Sequence, residues 1–207
     1  MKKTPLILAI IATGLVASAM STATMAQESP WLVRGRIVDI SPANGADPIG
    51  GSGASDRITV ANKTIPEVDI SYFFTPNWAA ELILTYPQKH DVFLDGANIG
   101  SFKELPPTLN VQYHFNPEAQ FSPYLGAGLN YTRISNVSLA SGTIGLDNHS
   151  FGGSVQAGVD YKIDKNWSLN LDVKYVQIKT GVYAGGATIS NLNVSPVLVG
   201  VGVGYRF

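Results

Sequence analysis

The sequence contains no cysteine, which excludes disulfide frameworks, thiolate metal sites and cysteine nucleophiles, and suits a chain that crosses an oxidising compartment without staples. Charge is scarce, at 14% of 207 residues, and close to balance at a formal −1. Losing Lys2 and Lys3 with a leader would leave the remainder more acidic, which argues against a nucleic-acid partner. Long apolar runs are missing too: after the N-terminal segment no run of about 18 or more apolar residues occurs, so no transmembrane helix is expected. Histidine occurs three times, and no His or carboxylate spacing resembles a metal site. No metal and no cofactor is expected.

What is present begins with Lys2 and Lys3, an uncharged run from Pro5 to about Val16, and small residues up to Thr24-Met25-Ala26. That is the pattern of a cleavable signal peptide over residues 1–26, leaving 27–207 as one domain. In the domain, apolar residues recur at every second position over segments of about ten, the period of a strand with two unlike faces. In the last segment Val197, Val199, Val201, Val203, Tyr205 and Phe207 share one face, against Leu198, Gly200, Gly202, Gly204 and Arg206. Trp167 to Tyr175, Val155 to Ile163, Leu125 to Tyr131, Leu109 to Phe115, Trp78 to Tyr86 and Val68 to Phe74 repeat the split. With a first strand from Trp31 to about Ile40, the fold class is all-β: an eight-stranded antiparallel transmembrane β-barrel preceded by a signal peptide.

The connections alternate in length. Thr75-Pro76-Asn77, Asn116 to Ser122 and Asp164-Lys165-Asn166 are short and read as periplasmic turns; 42–63, 87–104, 134–149 and 181–193 are long and read as extracellular loops. The Gly- and Ser-rich core of the first loop, Gly50 to Ser55, predicts mobility. Trp78 and Tyr86, like Trp167 and Tyr175, are spaced to stand about 20 Å apart along the membrane normal, near the ~25 Å band between aromatic girdles. A soluble up-and-down barrel also alternates, with its apolar face inward. Charged residues of the seven later strands fall on one parity, so the two readings differ only in which face is inside, and the signal and the aromatic levels favour the membrane.

The segments Leu105-Pro106-Pro107-Thr108-Leu109-Asn110-Val111-Gln112-Tyr113-His114-Phe115 and Pro123-Tyr124-Leu125-Gly126-Ala127-Gly128-Leu129-Asn130-Tyr131-Thr132 are distinctive. So are Gly158-Val159-Asp160-Tyr161 followed by Trp167, Thr85-Tyr86-Pro87 through Lys89-His90-Asp91, and the ending Gly202-Val203-Gly204-Tyr205-Arg206-Phe207. Over essentially the whole mature chain this resembles the OmpW family. The resemblance implies an eight-stranded barrel of the bacterial outer membrane with a narrow, partly hydrophobic lumen that admits small apolar molecules. The Gly- and Ser-rich first loop departs from the pattern.

Outward parity fixed as lipid-facing, the inward charges are Arg34, Arg36, Glu67, Asp69, Glu81, Asp160, Lys162, Asp172, Lys174 and Arg206, five of each sign and mostly in the periplasmic half. An eight-stranded barrel is only wide enough for side chains to fill it, so they read as a paired plug, with an ion or proton pathway as the alternative. Higher up, the inward positions turn apolar at Val38, Ile40, Ile83, Val176, Ile178 and Leu198, the outline of a funnel above the plug. Pro66, Pro106, Pro107 and Pro196, which cannot donate to a ladder, mark either a lateral exit or mere strand ends. The expected partners are outer-membrane lipid, small hydrophobic solutes and, through the terminal strand ending in Phe207, the barrel-assembly machinery. An enzyme is not expected: His90 beside Asp91 is the one suggestive pair, and it reads as a solvated loop feature because adjacent side chains on an extended chain point apart. A structural or adhesion barrel with a packed lumen remains the alternative to transport.

Overall fold

A computed structural model describes residues 29–207, so the expected signal segment lies outside the described residues. The alternating segments form a closed antiparallel barrel. Its eight long strands are β1 Trp31–Ser41, β2 Lys63–Phe73, β3 Trp78–Leu84, β4 Thr108–His114, β5 Phe121–Leu139, β6 His149–Lys162, β7 Trp167–Val176 and β8 Val197–Arg206. Each pairs with its neighbour in sequence. β1 then pairs with β8, from Leu32↔Arg206 to Ser41↔Val197. Closure satisfies the backbone without water, as a sheet in hydrocarbon requires.

The outward face is the expected lipid surface, with Leu82, Leu109, Leu125, Val155, Leu171 and Val201 all exposed. Near the chain ends, edge-to-face pairs Trp31–Tyr72, Trp78–Tyr113 and Trp167–Tyr205, with centroids 4.8–4.9 Å apart, build the periplasmic girdle. The turns at this end are closed by their own side chains. Asp164 Oδ1 accepts the Asn166 and Trp167 amides at 2.8 Å each, and Thr75 Oγ1 accepts the Trp78 amide at 3.0 Å.

At the other end the structure corrects the sequence reading, because the long connections carry ladders of their own. Gln88–Leu94 pairs with Ala97–Leu105 around Asp95-Gly96, both at positive φ (50° and 82°). Lys179–Ala184 pairs with Ala187–Asn193 around Gly185-Gly186, at 57° and 84°. These are two-residue hairpins of the kind that match strand twist. Ile58–Val60 joins the first hairpin, and Ile144–Leu146 and Gly45–Ala46 join the second. Their inward residues continue the apolar lining of the barrel, so that Val60, Val92, Phe102, Leu139, Leu146, Val182 and Leu192 form one buried cluster with Val38 and Ile40.

Candidate functional site

The lower lumen is filled by a hydrogen-bonded charge network. Arg34 holds Asp160 by a two-pronged contact, 3.1 Å from Nε and 2.7 Å from Nη2, and donates through Nη1 to Ser71 at 3.0 Å. Arg36 lies 3.3 Å from Glu67, 3.1 Å from Asp69, 3.2 Å from Glu81 and 3.6 Å from Asp172. Lys174 reaches Glu67 at 3.1 Å and Asp172 at 3.8 Å. Neutral groups complete the set: Tyr124 donates to Asp172 at 2.9 Å, Gln156 to Glu81 at 2.7 Å and Asn170 to Asp160 at 2.8 Å. Seven of the eight strands contribute with Asn110 and Ser154, which hydrogen-bond to each other. β8 contributes space instead, since a Cβ on Gly202 would meet Gly35 O at 2.1 Å and Arg36 Cγ at 2.9 Å.

Two of the ten expected members stand apart. Lys162 is half-buried at the periplasmic mouth, outside the ion pairs of the network, and Arg206 donates from Nε to Ser29 O at 2.9 Å with its guanidinium over Phe73. Both sit at the ends of their strands, where a long cationic side chain reaches the rim rather than the axis. The network is therefore not balanced: three cations, Arg34, Arg36 and Lys174, face five carboxylates. Tyr124, Asn110, Gln156 and Asn170 were not singled out from sequence, although all have inward parity.

Above the plug the lumen is apolar. Ile40, Ile83, Val176 and Leu198, with Ile65 and Ile178, line an inner cavity of about 30 Å³ whose floor is Glu67 and Lys174. Val38 lies below it, against the position a Cβ on Gly200 would occupy (3.2 Å). A second cavity of about 120 Å³, lined entirely by aliphatic side chains such as Ile58, Val92, Leu139 and Val182, lies under the extracellular hairpins. The larger cavity approaches the roughly 150 Å³ at which an apolar void stays dry and takes up benzene.

The prolines differ in what surrounds them. Between β3 and β4 the ladder ends at Ile83↔Thr108 and resumes only at Gln88↔Glu104, leaving 84–87 opposite 105–107 without backbone pairing. Pro106 lines the inner cavity at this break. Side chains satisfy the local carbonyls: Asn130 Nδ2 donates to Pro106 O (3.3 Å) and Pro107 O (3.2 Å), and Gln88 Nε2 to Tyr86 O (2.8 Å). Pro66 flanks the same break, its carbonyl accepting from Thr85 Oγ1 at 3.4 Å just beyond the last β2–β3 pair, Val68↔Leu84. Pro196 also borders the cavity, but its seam stays bonded, with Val176 N donating to Pro196 O at 3.2 Å and Val194 N to Ile178 O at 3.0 Å.

His90 departs from the expectation of a solvated pair with Asp91. Its ring turns inward, 2% exposed, and Nε2 lies 3.2 Å from Glu104 Oε1, while Asp91 points out to solvent. The extended backbone does separate the neighbours; the hairpin then puts His90 on the lumen side.

Comparison with known proteins agrees with this architecture. The model of the OmpW family matches residues 27–207. An outer-membrane protein of Sinorhizobium fredii described as uncharacterized y4mB is 41% identical over 187 residues, covering 86% of this chain and 80% of its own length. Outer membrane protein W of Vibrio cholerae is 31% identical, with 93% of this chain and 96% of that protein aligned. Among solved structures, the outer membrane protein OprG from Pseudomonas aeruginosa superposes with a TM-score of 0.77 at 25% identity, over 87% of this chain and 97% of that one.

Proposed function

This chain belongs to the OmpW family of outer-membrane β-barrels, and we propose that it passively admits small apolar molecules from the extracellular side and releases them sideways into the bilayer. The observation that carries the reading is a coincidence in space. The inner apolar cavity abuts a stretch of wall, between 84–87 and 105–107, where backbone pairing lapses. Below it, Arg36 and its carboxylate partners bar the axial route with groups that a hydrocarbon cannot solvate. An apolar solute in the cavity has lipid as its lowest-energy destination, and the break bordered by Pro66, Pro106 and Pro107 is the shortest way there. Ile83 and Leu198 act as the apolar threshold, Ile40 and Val176 complete the lining, and Val38 lies beneath it. The ionic plug keeps the barrel from leaking ions while it holds the strands together. The strand ending in Phe207 serves as the handle for the barrel-assembly machinery.

A structural or adhesion role competes, because tight packing leaves only about 30 Å³ free in the inner cavity. Replacing Ile83 or Leu198 with glutamate separates the two. Hydrophobic-solute uptake should fall to background while the barrel still inserts; unchanged uptake would sink the transport reading.

A further inference from the structure

Beside the break in the wall lies a polar cluster that neither the plug nor the apolar lining employs. Gln88, His90 and Glu104 project inward from the hairpin above β3 and β4, and each is at most 2% exposed. Gln88 stands directly opposite Glu104 in the ladder, and Glu104 lines the inner cavity. One carboxylate oxygen, Oε1, lies against His90 Nε2 at 3.2 Å, and the imidazole stacks on Phe102 with centroids 5.7 Å apart. The Gln88 amide nitrogen is committed to Thr85 Oγ1 and Tyr86 O. The two ring nitrogens of His90 are without a hydrogen-bond partner, as are two buried oxygens, Glu104 Oε2 and Gln88 Oε1. Each oxygen is purely an acceptor as oriented here. Unpaired acceptors in an apolar wall are costly, and such sites are a place to look for a ligand group.

We infer that Glu104 and Gln88 form a headgroup subsite for a neutral amphiphile with a hydrogen-bond donor on an aliphatic tail, such as a primary alcohol. The inference rests on the uptake reading above and narrows its solute class. The ligand hydroxyl donates to Glu104 Oε2 and Gln88 Oε1; the tail lies along Ile65, Ile83 and Ile178. His90, with Nε2 3.2 Å from the other carboxylate oxygen, is a positioning residue. A carboxylate head is disfavoured, because Glu104 would repel it and the cation that lines the same cavity, Lys174, is engaged by Glu67 and Asp172. A plain alkane leaves both acceptors unpaired, so discrimination resembles that of a site built to bond a substrate hydroxyl.

The test compares initial uptake of radiolabelled 1-decanol and decane by cells carrying the full chain. The wild type should prefer 1-decanol, and Glu104→Leu, shown to be inserted and folded, should lose about tenfold of the preference for 1-decanol over decane. In bilayer nanodiscs the His90 ring resonances of the unmodified protein should move with 1-decanol and stay still with decane, which covers the case in which Glu104→Leu does not fold. Decane uptake together with an unchanged 1-decanol preference in Glu104→Leu would overturn the subsite and leave the uptake reading standing. Failure of the wild type to take up either solute would remove both.

Discussion

Replacing Arg36 with methionine should cost about 3–5 kcal/mol of barrel stability, the range for removing one partner of a buried ion pair. At a separation near 3.2 Å and an effective dielectric of about 20, each close carboxylate contact carries roughly 5 kcal/mol of attraction. Most of that is offset by the desolvation that burying the groups entails, so the attractions do not simply add. The decisive quantity is what the substitution leaves behind: five carboxylates facing only Arg34 and Lys174, with Glu67, Asp69, Glu81 and Asp172 all within 3.6 Å of the vanished guanidinium. Unfolding by guanidinium in lipid vesicles, followed by tryptophan fluorescence and by heat-modifiable gel migration, measures the loss. Adding Glu81→Gln to the variant should recover part of it by removing one surplus charge. The solvent-exposed pair Arg57–Asp95 in the outer hairpins provides the comparison, and Arg57→Met should leave the midpoint unmoved. A loss below about 1 kcal/mol for Arg36→Met, the scale of an exposed pair, would refute the view that the plug holds the barrel wall together.

Gly158→Ala should cost about 1–3 kcal/mol in the same unfolding experiment, because its Cβ would sit 2.4 Å from the Tyr124 hydroxyl and displace the ring from Asp172, whereas Gly35→Ala meets nothing within 4 Å and should be neutral. The Trp167 and Asn166 amides hold the Asp164 carboxyl below its usual range in the periplasmic turn. A depressed value means that its contribution is present above the unfolded pKa and is lost as pH falls through the folded one. The stability gap between wild type and Asp164→Ala should therefore be full at neutral pH and close in acid, and carboxyl NMR should locate the titration. Replacing Pro106 and Pro107 together by alanine restores two backbone donors at the wall break and should slow hydrophobic-solute uptake with insertion intact; faster uptake would contradict lateral release there.

The lower barrel was legible because parity is a strong signal where lipid and a packed lumen make opposite demands: Arg34, Arg36, Glu67, Asp69, Glu81, Asp160, Asp172 and Lys174 are all buried on the inward face. Parity says which face a residue occupies and little about its height. That is why Lys162 and Arg206, one face correct, were placed in a network from which the strand ends remove them. Tyr124 stands beside a periplasmic turn, where aromatic side chains ordinarily join the girdle. Its even position, shared with Gly126 and Gly128, was the signal that it turns inward, and Gly158 supplies the room. The outer hairpins were hidden by their length, although Asp95-Gly96 and Gly185-Gly186 are strong two-residue turn signals flanked by alternating residues. Reading Gln88, His90 and Val92 as one face would have carried His90 into the lumen. The pairing lapse between 84–87 and 105–107 was foreshadowed by the prolines, but which of the four borders an opening depends on compensating bonds that sequence does not display.

β5 runs for 19 residues, from Phe121 to Leu139. At roughly 3.3 Å per residue and a tilt near 40°, it climbs about 50 Å, around twice the height of the apolar band. The mouth of the barrel thus stands well clear of the hydrocarbon of the outer leaflet. A solute that enters there never has to dissolve in that leaflet's surface layer, and the rate of its arrival follows its concentration in the surrounding medium. Surface carbohydrate becomes an obstacle only when it grows taller than the wall, so the height of this one strand sets how thick a coat the cell can wear before the entrance is covered.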